Sequence, residues 1–196
     1  MEALLPLALF AFISSITPGP NNIMLTSSGV LYGFVRSIPH ILGVTFGFGV
    51  LLALSAAGIG SLILMVPSIH VVLKTLGSGY LLYLAWQLRT LAIRQDAAAS
   101  TKPMSFTGAA LFQFVNPKAW VMAISGSSAF LPPTPSVWMS ILIFCLVFCA
   151  VNLPCVSVWA AGGAALRRYL AEPRWQRRFC VVMVVLTTYS AVAIWL

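Results

Sequence analysis

Two short polar stretches lie inside otherwise apolar runs. Thr17-Pro18-Gly19-Pro20-Asn21-Asn22 interrupts a run from about residue 3 to residue 35, and Asn116-Pro117-Lys118 interrupts another from about 106 to 130. Proline cannot donate a backbone hydrogen bond and clashes with the preceding turn, so each stretch must break its helix. In a bilayer every freed backbone group costs several kcal/mol unless protein or a wet cavity meets it. Thr17 is placed to cap a restarted helix and Pro18 to be its first residue. Such a helix start carries about half a positive charge and N–H donors without partners. Lys118 adds a full charge, yet the three acids, Glu2, Asp96 and Glu172, all fall at ends or in loops. A centre of this kind is electropositive and has no built-in counter-ion. A solute carboxylate would supply one. The amides of Asn21, Asn22, Asn116 and Asn152 offer both donors and acceptors, and their carbonyls, with backbone oxygens freed at the breaks, could take an ammonium group. A small zwitterion fits this better than a metal ion or a free base.

Each feature also has a purely structural explanation. Pro-Gly-Pro can be a kink, Lys118 can snorkel to an interface, and Asn152 can satisfy a helix bent at Pro154. His40 and His70 stand at span ends and read as interfacial residues rather than proton carriers. Cys145, Cys149, Cys155 and Cys180 lie in apolar segments without a C-x-x-C pair, as small packing residues do. No metal site, cofactor or enzyme chemistry is expected, because no span holds H-E-x-x-H or a pair of acids.

The elements that must position these residues follow from composition. The chain has 196 residues, 60% hydrophobic and 7% charged. A span takes about 20 apolar residues, so the length allows about six. The expected fold class is an all-α integral membrane protein, one transmembrane domain over 1–196. Met1-Glu2 lacks the basic start of a cleaved signal peptide. Spans are expected at about 3–35, 38–64, 69–91, 106–130, 137–166 and 179–196. Gly43-x-x-x-Gly47 marks a close helix approach. Tyr80, Tyr83 and Trp86 can anchor at an interface or line a cavity.

The polar segment 94–105 divides the chain into repeat 1 (about 1–93) and repeat 2 (about 106–196). Each half has three spans and opens with a broken one, followed by Thr26-Ser27-Ser28 or Ser125-Gly126-Ser127-Ser128. An odd number of spans per half makes this a 3+3 inverted repeat with broken helices 1 and 4, as in many secondary transporters. The net charge of +8 does not call for nucleic acid, because nine of the eleven basic residues sit in alternate loops. The positive-inside rule puts those loops in the cytoplasm.

The motif Ser15-Ile16-Thr17-Pro18-Gly19-Pro20-Asn21-Asn22 resembles the N-terminal signature of the LysE/RhtB family of amino-acid exporters. The likeness runs through Gly43-x-x-x-Gly47, Gly77-x-Gly79-Tyr80-Leu81-x-Tyr83-Leu84-Ala85-Trp86 and Phe112-Gln113-Phe114-Val115-Asn116-Pro117-Lys118. It implies a six-span protein of a bacterial inner membrane that expels amino acids by proton antiport. Many members carry an aspartate after the second glycine of the span-2 pattern, where this chain has Phe48. That departure argues against basic solutes and against proton coupling through such a carboxylate. It is most similar to the cysteine/O-acetylserine exporter branch, with homoserine or threonine exporters as the alternative. The expected partners are the solute, protons, the lipid bilayer and a second copy of the chain. A membrane thiol-redox protein is the distant alternative, and neither proline motif holds the cysteine it would need.

Overall fold

In a computed structural model of the chain, residues 4–58, 60, 67–93, 102–167, 172–193 and 195 are described, and the elements formed among them are helices. They are α1 (Leu4–Ile16), α2 (Pro20–Tyr32), α3 (Phe34–Ala56), α4 (Pro67–Ile93), α5 (Phe106–Val115), α6 (Pro117–Phe130), α7 (Val137–Leu166) and α8 (Pro173–Ala193). Both expected interruptions are present. α1 and α2 meet at 57° across Thr17–Gly19, and a single extended residue, Asn116, separates α5 from α6. α3 and α7 are each long and apolar enough to cross a membrane, and the bent pair α1 with α2 makes a third such unit.

Three boundaries differ from the sequence expectation. α2 restarts two residues later than expected, with Gly19 as its cap and Pro20 as its first residue. The Thr17 hydroxyl turns back instead, bonding the carbonyls of Ile13 and Ser14. α3 starts at Phe34 and takes in Arg36 and Pro39. α8 starts at Pro173, so the basic residues 174–178 occupy its first turns rather than a loop. Arginine is a good helix former, and a proline at the first helical position needs no partner for its missing N–H.

The outer surface is apolar, and the largely apolar interior encloses buried polar side chains. Leu5, Val35, Leu111, Val121, Trp138 and Leu146 are exposed, whereas Asn22, His40, Gln113, Asn116 and Asn152 are buried. Large apolar surfaces of this extent mark contact with lipid or protein rather than water. The long helix of each half packs on the interrupted helices of the other: α7 lies on α2 and α1, and α3 lies on α5 and α6. α4 packs chiefly on α8, tied by Ser78 Oγ donating to the Ala191 carbonyl at 2.9 Å.

Glycine makes these crossings close. A methyl group at Gly43 would stand 2.3 Å from the Phe106 carbonyl oxygen, and one at Gly47 would stand 2.4 Å from that of Ala110. The packing expected of Gly43-x-x-x-Gly47 is therefore against the α5 backbone. The α2–α7 contact is equally tight: an added methyl group would stand 2.2 Å from the Thr26 carbonyl oxygen at Gly163 and 2.1 Å from that of Ala160 at Gly29. Gly162, the neighbour of Gly163, meets nothing within 4 Å. Gly163→Ala therefore has to push α2 from α7 and is expected to destabilise by about 1–3 kcal/mol. Gly162→Ala gains helix propensity, up to about 1 kcal/mol. Thermal unfolding of the two variants in detergent checks the contrast.

Candidate functional site

The site is assembled from the two interruptions, which the packing brings into contact. α1 ends with carbonyls that have no successor in the helix, and four side chains meet them. Asn22 Nδ2 donates to the Ser15 carbonyl at 2.9 Å and to the Thr17 carbonyl at 2.8 Å. Trp159 Nε1 donates to the Ile16 carbonyl at 3.2 Å. The Lys118 ammonium reaches from the second interruption to the Thr17 and Pro18 carbonyls, at 2.7 and 3.3 Å. The fourth, the Thr17 hydroxyl, serves the turn before. The lysine thus binds the negative end of the α1 dipole. Its partners are neutral, and no acidic side chain lies beside it among the described residues.

The two helix starts are not equivalent. At α6 the Asn116 side chain accepts from the Lys118 N–H at 3.2 Å, and its carbonyl accepts from Ala119 and Trp120 at 3.0 and 3.3 Å. Asn116 is therefore a cap, and the N–H donors that the sequence suggested would be free there are occupied. At α2 the hydrogen-bond ladder begins with Ile23 N–H to the Gly19 carbonyl, 3.0 Å. The N–H groups of Asn21 and Asn22 precede it, and α2 keeps the open anion-binding end.

A cavity of about 20 Å³ lies between these parts. Gly19, Asn21, Asn22, Asn116, Lys118 and Asn152 border it, so six of the ten expected site residues come together. Thr17 and Pro18 contribute carbonyls while their side chains face outward, and Pro20 and Pro117 open their helices. Asn152 is not a local device for the Pro154 bend. Its Nδ2 donates to Ser15 Oγ at 3.0 Å, and its Oδ1 stands 3.5 Å from Thr45 Oγ1. Phe48 forms an apolar wall, edge-on to Phe148 with ring centroids 5.2 Å apart. A cavity this small holds about one water.

Ser15 and Gln113 are functional neighbours that the sequence reading did not single out. Gln113 is the sole amide in α5. It exchanges two hydrogen bonds with Asn21: Asn21 Nδ2 to Gln113 Oε1 at 2.8 Å, and Gln113 Nε2 to Asn21 Oδ1 at 3.1 Å. Two amides facing each other from opposite halves latch α2 to α5. A lone amide in an apolar ten-residue helix was the available signal.

Cys145 and Cys149 contact the Gly49 and Thr45 carbonyls along the α3–α7 seam, each at 3.8 Å. His40 departs from its interfacial reading: it is 2% exposed. The side chain of His70 lies outside the described residues.

An apolar-surfaced helical bundle with its buried amides, Asn22, Gln113, Asn116 and Asn152, gathered at two helix interruptions has the construction of a membrane translocator. The chain belongs to the LysE type translocator family, whose model matches residues 12–195. It is 29% identical over 185 residues to the cysteine/O-acetylserine efflux protein of Escherichia coli O157:H7, covering 94% of this chain and 93% of that one. It is 31% identical over 194 residues to the cysteine/O-acetylserine efflux protein of Salmonella choleraesuis (strain SC-B67), covering 96% and 98%. No solved structure matches the chain.

Removing one side of the Asn21–Gln113 pair leaves a shielded amide unmet. Asn21→Leu and Gln113→Leu are each expected to destabilise by about 1–3 kcal/mol, and the double variant by less than their sum. Unfolding of the four proteins in detergent measures the coupling.

Proposed function

We propose that this protein exports a small neutral amino acid, cysteine or O-acetylserine in class, across the cytoplasmic membrane of a bacterium by proton antiport. The observation that carries the reading is the Lys118 ammonium, which lies between the two helix breaks and is held only by neutral carbonyls. A carboxylate is a stronger partner for it than a carbonyl. When a solute carboxylate draws the lysine over, the Thr17 and Pro18 carbonyls are freed, and they can receive the solute's own ammonium. The exchange replaces one set of charge-assisted bonds by two. The Asn21 and Asn22 N–H groups, at the positive end of α2, add donors for the same carboxylate. Phe48 and Met122 shape the rest of the wall and favour a short uncharged side chain.

The cavity must widen before a solute enters, and the breaks are where it can do so. The arrangement supports a six-span 3+3 inverted repeat: α4, with 27 residues, and α8, with 21, are long enough to span, and α5 with α6 forms the second broken unit. The reciprocal packing of α3 and α7 on the opposite broken pair supports it further. Gly33, before Arg36, lies beside the Arg167 side chain, and a methyl group there would stand 3.3 Å from its guanidinium. Basic residues of different loops thus share one end, which the positive-inside rule assigns to the cytoplasm. The curated relatives of this length are efflux proteins by name, in keeping with outward transport.

Lys118→Met is expected to lower export by about 10- to 100-fold, the equivalent of a charged hydrogen bond of roughly 1.5–3 kcal/mol. Efflux of labelled cysteine, O-acetylserine, homoserine and threonine from loaded cells measures it, with Lys74→Met, whose ammonium lies over the Trp195 ring, as a control. Undiminished transport of all four solutes by Lys118→Met removes the reading. Phe48 borders the same cavity as Lys118. Phe48→Asp supplies the lysine with an internal counter-ion, so neutral solutes are expected to lose export while lysine gains it. Competition assays in proteoliposomes read that exchange of preference.

A further inference from the structure

A larger cavity, about 320 Å³, lies between α2, α3, α4 and α8. That is the lower end of the range for small-molecule pockets, about 300–1,000 Å³. Its deep wall includes Met24, Ser27 and Ser28 of α2 and Thr187 of α8, all buried. Lys102, exposed on the segment before α5, also lines it and is the one formal charge among the described lining residues. His40 belongs to the same wall. It is 2% exposed, and neither ring nitrogen has a hydrogen-bond partner. A buried polar group left unmet costs about 1–3 kcal/mol, and native structures rarely keep one without cause. Nearby hydroxyls do not meet it. Ser27 donates to the Ile23 carbonyl, Ser28 pairs with Ser37, and Thr187 donates to the Met183 carbonyl.

The position of this cavity has a consequence for transport. α2 runs from one cavity to the other: Asn21 and Asn22 border the small one, while Ile23, Met24 and Ser27 border the large one. The Asn21–Gln113 latch stands at that junction. The large cavity opens beside Lys102, in the segment that the charge distribution assigns to the cytoplasm.

We propose that the larger cavity is a second solute site, a waiting position for a small amino acid arriving from the cytoplasm. Lys102 receives the carboxylate near the mouth. His40, a donor at one nitrogen and an acceptor at the other, receives the polar end of the side chain, and the ligand's bonds satisfy the orphaned ring. The Ser27 and Thr187 oxygens remain able to accept from the solute ammonium. This proposal rests on the export reading and adds a site to it.

Equilibrium dialysis of the protein in lipid nanodiscs, with labelled L-cysteine under reductant, counts the sites. Two bound per wild-type chain are expected, with one retained by His40→Phe, one by Lys118→Met, and two by His40→Gln, which keeps a donor and an acceptor. A single wild-type site, unaffected by His40→Phe and lost in Lys118→Met, overturns the waiting site and leaves the export reading standing. Two sites persisting in Lys118→Met but one in His40→Phe uphold the waiting site and remove Lys118 from the export reading. A second measurement does not depend on the folding of the His40 variants. With His70→Gln, ¹⁵N-labelled histidine reports His40 alone. Saturating cysteine is expected to shift its imidazole resonances, and an unmoved spectrum overturns the proposal.

Discussion

The structure depends on how an interrupted helix is satisfied where no water is at hand. α1 ends at Ile16 and its last carbonyls would each cost several kcal/mol if left bare in lipid. Asn22, Trp159 and Lys118 meet those that follow Ser14, from three different helices. Lys118 is the partner that joins the two interruptions directly, because it belongs to the second and binds the first. A helix break and a half-buried lysine, each costly alone, here offset one another. A carbonyl pair is nevertheless a weaker partner for an ammonium group than a carboxylate. The lysine is stable enough to rest there and is not saturated, which is the condition for a charge that must change partners.

Close backbone contact makes this arrangement rigid around the breaks. Gly29 and Gly163 bring α2 and α7 to backbone contact, and Gly43 and Gly47 do so for α3 and α5. Gly77 faces the Val115 carbonyl in the same way, at 2.2 Å for an added methyl group, next to the second break. Without a hydrophobic driving force between helices in lipid, such packing is what holds them. The aromatic cluster of Phe48, Phe144 and Phe148 fills the space behind the Asn152 side of the site. The breaks in the helical ladder, Thr17–Gly19 and Asn116, lie between these close contacts.

Much of this was legible in the sequence because proline and charge are unambiguous inside an apolar run. Val137–Leu166 matched its expected span at both ends, and both interruptions fell where proline required them. Boundaries slipped where a residue could serve two elements. Thr17 can cap a new helix or bond back into the old one, and two prolines flanking Gly19 allow either start, so Pro20 rather than Pro18 opened α2. Arg174, Arg177 and Arg178 read as a loop by polarity, but a helix end outside the lipid tolerates them well. Asn22, Asn116 and Lys118 were identifiable as polar groups in the wrong solvent. Their partners were not, because a backbone carbonyl leaves no mark in the residue type. The Asn21–Gln113 pair spans 92 positions, and only the folded chain brings it together. His40 was misplaced for a related reason: proximity to a predicted span end suggested an interface, while in the folded chain, where α2, α5 and α7 pack on α3, the side chain is buried.

The unequal size of the two cavities bears on which way the protein faces. One, between the breaks, has room for about one water, and the other, reached beside Lys102, is some fifteen times larger. An exporter has to admit its solute from the cytoplasm and then seal that side. A wide chamber on the Lys102 side with a constricted centre suits the proposed export, in which the solute enters from that side. The Asn21–Gln113 latch, lying across the route between them, would have to part for the solute to advance, and the amides it releases are chemically suited to a zwitterion. Each hydrogen bond broken within the protein can be replaced by one to the solute. Passage then changes partners rather than losing them, which keeps the barrier low for a molecule with a carboxylate and an ammonium and high for one without them.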